Sequence, residues 1–421
     1  MHRKLFLLVA LISTITLHAQ TGVLNALKQT YALPEQIFQL YVHSHYDSLY
    51  AMAADIVKQQ MTERTFIGQM TMTTMQLGPV KEAGMWQMTE QEDYKVYKRT
   101  LTFKALQMDL TIAVNKDQQW ETLFMGNPKP LTAPTPATMP AGERTITIQA
   151  DGGPQLPGRL TLPSDVQDKV PVAILVHGSG PNDMNETIGP NAPFRDLAEG
   201  LSRQGIAVIL YDKRTKVAPQ WYGEAGHVAN YDTETVDDAV AAAQMATTIQ
   251  EIDPARIFVI GHSLGAELAP RIAEKCPTVK GIILMAAPTR DLLTMVREQY
   301  AYLGVSADSM GVMLDRFKAS LPQEYLAMDS SYDPVRTAKE LSLPMLILQG
   351  ERDYQVTMAD FAAWQKALAH RKNVTLKSYP TLNHLFFTGE GKSMPAEYAK
   401  PDQHVATDVI ADIARFILAS H

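Results

Sequence analysis

Residues 256–273, RIFVIGHSLGAELAPRIA, decide the fold class of this chain. The apolar run RIFVI predicts a buried strand, and the segment that begins at Leu264 predicts a helix. Between them GHSLG (261–265) fits the pattern G-x-S-x-G, in which a serine stands on a sharp turn from strand to helix. Small neighbours let the chain pass through such a turn. The five-residue pattern alone is common by chance, but its place between strand and helix makes Ser263 a candidate nucleophile.

Short apolar runs of the same kind lie on both sides of this segment. Such runs are typical of strands covered on both faces, and they are VAILV (172–176), IAVIL (206–210), RIFVI (256–260), GIILM (281–285) and MLIL (345–348). Helical stretches separate most of them, near residues 193–204, 234–250, 264–275 and 357–370. This alternation predicts a doubly wound, mostly parallel α/β sheet.

One interval between consecutive apolar runs is too long for a simple crossover connection. Residues 288–342, between the last two apolar runs, predict a helical insertion that lies over the site as a lid. Five of its residues are expected either to line a pocket or to form the core of the insertion: Tyr300, Tyr302, Leu303, Met310 and Met313.

The part before the α/β domain has a different pattern. Residues 34–60 predict a helix, in which Leu49, Met52, Ala53 and Ile56 share one face. From about residue 64 to 125 the period is two. It is clearest in LQMDLTIAVN (106–115) and weaker in FIGQMTMTTM (66–75) and YKVYKRTLTF (94–103). We therefore expect a small α+β domain over residues 21–126.

A proline-rich stretch follows that domain. GNPKPLTAPTPATMPAG (126–142) holds five prolines in seventeen residues, which is typical of an extended linker. We place the linker at 127–142 and the catalytic domain at 143–421.

The first nineteen residues have the composition of a secretory signal peptide. HRK (2–4) is positively charged, LFLLVALISTITL (5–17) is apolar, and Ala19 offers a small residue for cleavage. The apolar stretch is shorter than the about 20 residues that a membrane span needs. We expect an exported bacterial protein, periplasmic or secreted, with no stable membrane span after cleavage; the alternative is an N-terminal anchor helix.

Composition and motifs exclude several classes of function. The net charge of −7 does not favour nucleic acid as a partner. Cys276 is the only cysteine, so no intrachain disulfide can form. The sequence has no H-E-x-x-H, no paired cysteines and no Walker A motif. We therefore expect no metal and no cofactor.

A base and an acid for Ser263 are found downstream. His384 follows the strand-like VTLKSY (374–379) and precedes the last helix, and it is preferred over His227, His370 and His404. The alternative role of His384 is to cap that helix. In MLILQGERDYQV (345–356), Asp353 is the chosen acid and Glu351 the alternate. The chain order Ser263, Asp353, His384 is that of α/β-hydrolases.

A Gly-rich turn offers donors for an oxyanion. VAILVHGSGP (172–181) ends a predicted strand, and its glycines let backbone N–H groups approach a tetrahedral oxygen. We assign the backbone N–H groups of Ser179 and Leu264 to an oxyanion hole, with a plain tight turn as the alternative. His177 is expected to brace the loop.

With these residues assembled, the chain resembles the serine esterases of the α/β-hydrolase superfamily. HGSGPNDMNETIGPNAPFRDLAEGLSRQGIAVILYDKR (177–214) is similar to a bacterial group of exported esterases. That group is related to the dienelactone-hydrolase and acylpeptidase-like branches. The likeness covers 143–421 well. Over 21–126 it is looser and depends on domain order, because some members carry a small α+β domain first.

The resemblance implies hydrolysis of carboxylic esters, often with short acyl chains. It matches Ser263 to the nucleophile, Asp353 to the acid and His384 to the base. One departure is YDKRTKVAP, where many relatives read Y-D-x-R-G-x-G-x-S. There Asp212 is expected to pair with Lys213 or Arg214.

The sequence therefore predicts an exported serine esterase that acts on small-molecule esters through an acyl-enzyme. Two alternatives stay open. One is a serine peptidase on short peptides, similar to prolyl oligopeptidases, and the other is a non-catalytic envelope binding protein. A homo-oligomer is compatible with the sequence.

Overall fold

The chain divides into two compact units, Met1–Thr135 and Pro136–His421, in the computed structural model. The described residues are 30–91, 93–103, 106–130, 142–164, 168–224, 226–305, 307–319 and 321–420. The predicted signal peptide and most of the predicted linker lie outside them. Within the part of the chain that the structure describes, no helix combines the length and apolar character needed to span a membrane.

The first unit has four helices followed by an antiparallel sheet. The helices are α1 (Ala32–Val42), α2 (Tyr46–Ala51), α3 (Asp55–Gln60) and α4 (Glu63–Leu77). The strands are β1 (Glu82–Ala83), β2 (Gln87–Glu90), β3 (Tyr94–Thr102), β4 (Leu106–Asn115) and β5 (Trp120–Pro130). The sheet order is β1-β3-β4-β5, with β2 beside β3. The core joins helix side chains such as Ile37 and Leu49 to strand side chains such as Ile112 and Trp120.

The helices of this unit differ from the prediction in two places. The predicted helix over 34–60 is three helices, since Ser44 has a φ of +59° and Ala54 is extended. The predicted strand over 66–75 lies within α4. Its alternating methionine and threonine residues imitate the strand period, but the Thr62 side chain caps the helix by accepting from the Thr65 amide at 3.3 Å. Phe66 then packs on Trp120, with ring centroids 5.4 Å apart.

Strand β5 continues beyond the predicted domain boundary. Lys129 and Pro130 pair with Gln107 and Leu106 of β4, so residues 127–130 belong to the sheet and not to a linker. Prolines are tolerated here because β5 is the last strand in the sheet order, and an edge strand needs fewer ladder donors.

The second unit is an eight-stranded sheet with helices on both faces. Its strands are β6 (Glu143–Ile148), β7 (Leu156–Thr161), β8 (Val170–Val176), β9 (Ala207–Tyr211), β10 (Ile252–His262), β11 (Val279–Met285), β12 (Met345–Gly350) and β13 (Val374–Tyr379). The order is β13-β12-β11-β10-β8-β9-β7-β6. Strands β8 to β13 are parallel, and β6 and β7 form an antiparallel edge. The predicted fold class, an α/β-hydrolase sheet preceded by a small α+β domain, is confirmed.

Helices cover both faces of this sheet, which is why its strands are apolar. They are α5 (Pro193–Ser202), α6 (Arg214–Val217), α7 (Asp237–Ala246), α8 (Leu264–Lys275), α9 (Leu292–Tyr302), α10 (Ala307–Ala319), α11 (Gln323–Ser331), α12 (Pro334–Glu340), α13 (Met358–Leu368) and α14 (Thr407–Ala419). Strand β8 shows the consequence: Val172 and Ile174 pack in one core cluster, and Ala173 and Leu175 in another. Both faces are buried, so the strand is apolar throughout. Helices α9 to α12 all fall within residues 288–342, between β11 and β12.

Candidate active site

Ser263 is the single residue that connects a strand to a helix. Strand β10 ends at His262 and α8 begins at Leu264. The Ser263 backbone has φ +54° and ψ −118°, a conformation that is rare for a residue with a side chain. Its amide donates to the Met285 carbonyl at 2.9 Å, which anchors the turn on β11. Strained backbone of this kind is retained where the surrounding structure enforces it, as it does in a nucleophile elbow.

The two glycines of the motif are required by close backbone contacts. A Cβ atom on Gly261 would collide with the carbonyl of Gly265. A Cβ atom on Gly265 would collide with the carbonyls of Val176 and His177. Neither backbone obstacle can rotate away as a side chain could. The glycines of G-x-S-x-G therefore permit the tight packing of α8 against the end of β8.

Asp353 and His384 meet at the carboxyl ends of β12 and β13. His384 Nδ1 lies 2.6 Å from Asp353 Oδ2, and both side chains are buried. The other carboxylate oxygen, Oδ1, accepts from the amides of Gln355 and Val356 at 2.8 and 3.1 Å. These bonds fix the carboxylate. Because Nδ1 donates to the acid, the neutral imidazole has Nε2 as its proton acceptor.

The alternate residues lie elsewhere. Glu351 is exposed, and its Oε1 accepts from the Ser378 hydroxyl at 2.8 Å. His404 Nδ1 lies 3.0 Å from Asp196 Oδ1, and His227 stacks on Trp221. None of these three side chains lines the cavity that contains Ser263.

The loop after β8 brings Gly178 and Ser179 to the elbow. The Gly178 backbone lies so close that a Cβ atom there would be 3.2 Å from Ser263 Cβ. Among the described residues, no hydrogen bond engages the Ser179 amide. Leu264 is the first residue of α8, where amides have no partner within the helix. Ser179, Ser263 and His384 line the same cavity.

A buried pair that the sequence analysis missed, Glu186 and His262, joins the loop after β8 to the turn at Ser263 and to His384. Glu186 Oε1 accepts from the Gly178 amide at 2.8 Å, and Oε2 lies 3.0 Å from His262 Nδ1. His262 Nε2 lies 2.9 Å from the His384 carbonyl oxygen. Each ring nitrogen of His262 therefore has an oxygen atom within 3.0 Å. The only sequence signal was a histidine at the second position of GHSLG.

The pKa values in this pair favour the charged forms. Burial opposes charge on His262, but the Glu186 carboxylate outweighs burial and raises the pKa of the imidazole. Burial likewise opposes charge on Glu186, but His262 and the Gly178 amide hold the pKa of that carboxyl below its usual value. Each partner thus favours the charged form of the other.

The YDKR segment makes different ion pairs from those predicted. Lys213 pairs with Glu234, with Nζ 2.5 Å from Oε1, and Arg214 pairs with Asp238. Asp212 pairs with neither; its carboxylate accepts from the Met184 amide at 2.7 Å. The two basic side chains are directed into the protein, so their partners lie on the helical segment 232–246.

The cavity at Ser263 has a volume of about 290 Å³. Its apolar wall is formed by Leu292, Met295 and Val296 of α9 and Phe317 of α10. None of the five insertion residues named from the sequence lines it. Tyr302, for example, stacks on Tyr354, with ring centroids 4.8 Å apart. The α9 side chains that face the cavity are spaced i, i+3, i+4 from the start of the helix, whereas Tyr300 and Tyr302 lie in its last turn.

His177 is buried between two aromatic rings and braces the loop. Its ring centroid lies 5.0 Å from that of Phe194 and 5.5 Å from that of Tyr211. Burial lowers the pKa of His177 to about 4. At pH 5 the unfolded chain, with an ordinary value near 6.5, binds a proton that the folded chain does not. Stability is therefore lost as pH falls from about 6.5 toward 4.

We expect this loss to appear in urea unfolding. Between pH 7.5 and 5, His177 should lower the free energy of unfolding of the wild type by about 2 kcal/mol. His177→Gln cannot titrate, so its free energy of unfolding should fall by about 2 kcal/mol less over the same interval. Parallel pH dependence of the two proteins would contradict the buried neutral imidazole.

Comparison with known proteins identifies relatives of this chain. The model of the prolyl oligopeptidase family matches residues 195–406. The chain is 33% identical over 395 residues to Esterase EstD of Thermotoga maritima, and the match covers 89% of this chain and 92% of that protein.

Two solved esterase structures are among those similar to this chain. An esterase of Pyrococcus furiosus matches with 17% identity and a TM-score of 0.47, covering 66% of this chain and 91% of that one. The esterase of Pyrobaculum calidifontis matches with 20% identity and a TM-score of 0.46, covering 66% and 86%.

Proposed function

Since this chain belongs to the α/β-hydrolase serine esterases, within the prolyl oligopeptidase family, we propose that it hydrolyses short-chain acyl esters with the triad Ser263, His384 and Asp353. Hydrolysis of carboxylic esters is the activity of this class. Beyond this activity, we propose the identity of the triad, an acyl-enzyme intermediate and a preference for short acyl chains.

The proposal is carried by the 2.6 Å contact between Asp353 and His384 beside a cavity that also contains Ser263. A serine hydroxyl is a weak nucleophile until a base removes its proton. Asp353 holds the imidazole in the tautomer that accepts at Nε2 and stabilises the imidazolium that forms. The strained turn at Ser263 supports the same role, because it exposes the hydroxyl above the sheet.

The mechanism follows from these positions. Ser263 Oγ attacks the ester carbonyl while His384 takes the hydroxyl proton, and the oxyanion binds the Ser179 and Leu264 amides. Collapse of the tetrahedral intermediate breaks the bond to the alcohol oxygen, which receives the proton from His384. Water then attacks the acyl-enzyme with His384 as base, and the acid is released with Ser263 restored.

The size of the cavity favours small acyl groups. A volume of about 290 Å³ is just below the range of about 300–1,000 Å³ for small-molecule sites. Phe317 of α10 is one of the apolar side chains that line the cavity. Phe317→Ala should therefore raise the ratio of kcat/KM for p-nitrophenyl octanoate to that for the acetate by about tenfold or more, since each accommodated methylene is worth about 1–3 kcal/mol.

Met313→Ala is the matched control for this test. Met313 is on the same helix and is also half-buried, but it does not line the cavity. The control should keep the chain-length profile of the wild type. Equal profiles for all three proteins, or a shift only in Met313→Ala, would contradict the placement of the acyl group against Phe317.

A serine peptidase acting on short peptides is the second candidate, and the match to the prolyl oligopeptidase family model favours it. The triad and the oxyanion donors would serve both reactions. Substrates that differ only in an ester or amide bond at the same acyl group separate them. If kcat/KM for the amide equals or exceeds that for the ester, the peptidase is the better description.

A further inference from the structure

The backbone of Gly178 is held on both sides by buried side chains of opposite charge. Its carbonyl oxygen accepts from Lys213 Nζ at 2.8 Å and from Asn182 Nδ2 at 3.1 Å. Its amide donates to Glu186 Oε1 at 2.8 Å. Lys213 and Glu186 are each only 2% exposed. A buried ammonium and a buried carboxylate thus converge on one glycine beside Ser263.

Lys213 is fixed in this position from two directions. Nζ lies 2.5 Å from Glu234 Oε1, and the Lys213 amide donates to the Asn182 carbonyl at 3.0 Å. Removing an ammonium from water costs several kcal/mol, which a partner of opposite charge offsets. Glu234 supplies that partner, and a second N–H of the ammonium is directed to Gly178.

The carbonyl of Gly178 and the amide of Ser179 belong to one peptide plane. The plane is rigid, and its C=O and N–H point in opposite directions in the trans form. Holding the oxygen with Lys213 therefore fixes the direction of the Ser179 N–H. The nearby cation also favours the resonance form with a negative oxygen and a positive nitrogen, which makes the N–H a stronger donor.

We propose that Lys213 is a positioning residue, which orients and polarises the Ser179 amide toward the oxyanion through the carbonyl oxygen of Gly178. The inference rests on the proposed function, because it takes the Ser179 amide as an oxyanion donor. The negative oxygen develops only after Ser263 attacks, so Lys213 should affect the transition state and not the binding of the ester.

Two variants test this role at different strengths. Lys213→Met combined with Glu234→Gln removes the ammonium without leaving a buried carboxylate unpaired. Lys213→Gln alone keeps an uncharged donor. The matched control is Arg214→Met combined with Asp238→Asn, a neighbouring buried pair with contacts of 2.6 and 3.0 Å. Among the described residues, that pair makes no hydrogen bond to Gly178 or Ser179.

The substrates and inhibitors separate transition-state effects from binding effects. Removing one oxyanion donor costs about 10²–10³ in kcat. Since Lys213 acts through another group, kcat/KM for p-nitrophenyl acetate should fall by about tenfold to a hundredfold in the double variant and by less in Lys213→Gln. The inhibition constant of a trifluoromethyl ketone, which forms an anionic adduct with serine, should rise by the same factor. Binding of a non-electrophilic ether analogue of the ester should stay within about twofold.

The outcomes distinguish failure of this inference from failure of the proposed function. If both folded Lys213 variants match the Arg214 control, or if ether binding is lost together with activity, the positioning role is wrong. If the double variant does not fold, as judged by circular dichroism, Lys213→Gln decides in the same way. If the wild type cleaves no ester, or Ser263→Ala is as active as the wild type, the proposed function fails and this inference fails with it.

Discussion

Ser263→Ala should lower kcat for p-nitrophenyl acetate by about a millionfold, the loss found when the nucleophile of a comparable serine hydrolase is removed. The physical reason is that the substitution removes Oγ, the atom that attacks the ester carbonyl while His384 takes its proton. The substitution deletes one atom and leaves the backbone turn, the Met285 contact and the cavity in place. Steady-state kinetics, with circular dichroism to monitor folding, measures the effect.

Ser179→Ala is the control for this prediction. Ser179 lines the same cavity, but in the proposed mechanism its backbone amide binds the oxyanion and its hydroxyl has no role. Ser179→Ala should therefore keep kcat within about tenfold of the wild type, since a hydroxyl contact is worth about 0.5–1.5 kcal/mol. If Ser179→Ala is as impaired as Ser263→Ala, or if Ser263→Ala is active, the assignment of the nucleophile is wrong.

Asp353→Asn should lower kcat by about 10⁴-fold with little change in structure. An amide can occupy the site of the carboxylate, but it offers a donor where His384 Nδ1 needs an acceptor. The imidazole would then adopt the wrong tautomer, with its proton on Nε2 facing the serine. The 2.6 Å contact and the two amides bound to Oδ1 make this site sensitive to that exchange.

Glu351→Gln is the matched control for Asp353→Asn, since Glu351 is the other acid of the same loop. Its carboxylate is exposed and bonded to Ser378, so the amide should keep activity within about twofold. A large loss in Glu351→Gln together with an active Asp353→Asn would reverse the two roles.

The sequence predicted those parts of the molecule that depend on local pattern. The apolar runs of β8 to β12 identified the sheet because strands covered on both faces leave little choice of residue. GHSLG identified the elbow because Gly261 and Gly265 meet backbone at positions fixed by the turn itself. In the first unit the same method mistook α4 for a strand, because its alternating methionine and threonine residues have the wrong period for a helix.

Residues that act through tertiary contacts were not predicted. Glu186, His262 and Lys213 come from three different segments, and their shared contacts around Gly178 arise only where the loop after β8 meets the turn at Ser263. The residues that form the cavity wall were also not predicted. The sequence analysis chose insertion residues by type, whereas the side of α9 that faces Ser263 is set by how the helix packs, for example by the bond from the Leu292 amide to Asp329 Oδ1 at 3.0 Å.

The most direct test of the account is to treat the wild type with diethyl p-nitrophenyl phosphate, which transfers a stable phosphoryl group to an activated serine. Peptide mass spectrometry then locates the adduct, with Ser263→Ala treated in parallel. If Ser263 is the nucleophile, we expect one diethylphosphoryl group, on Ser263, with loss of activity in proportion to labelling. Ser263→Ala should carry no adduct. A stoichiometric adduct on another residue, or full activity after complete labelling of Ser263, would contradict the claim that Ser263 is the nucleophile.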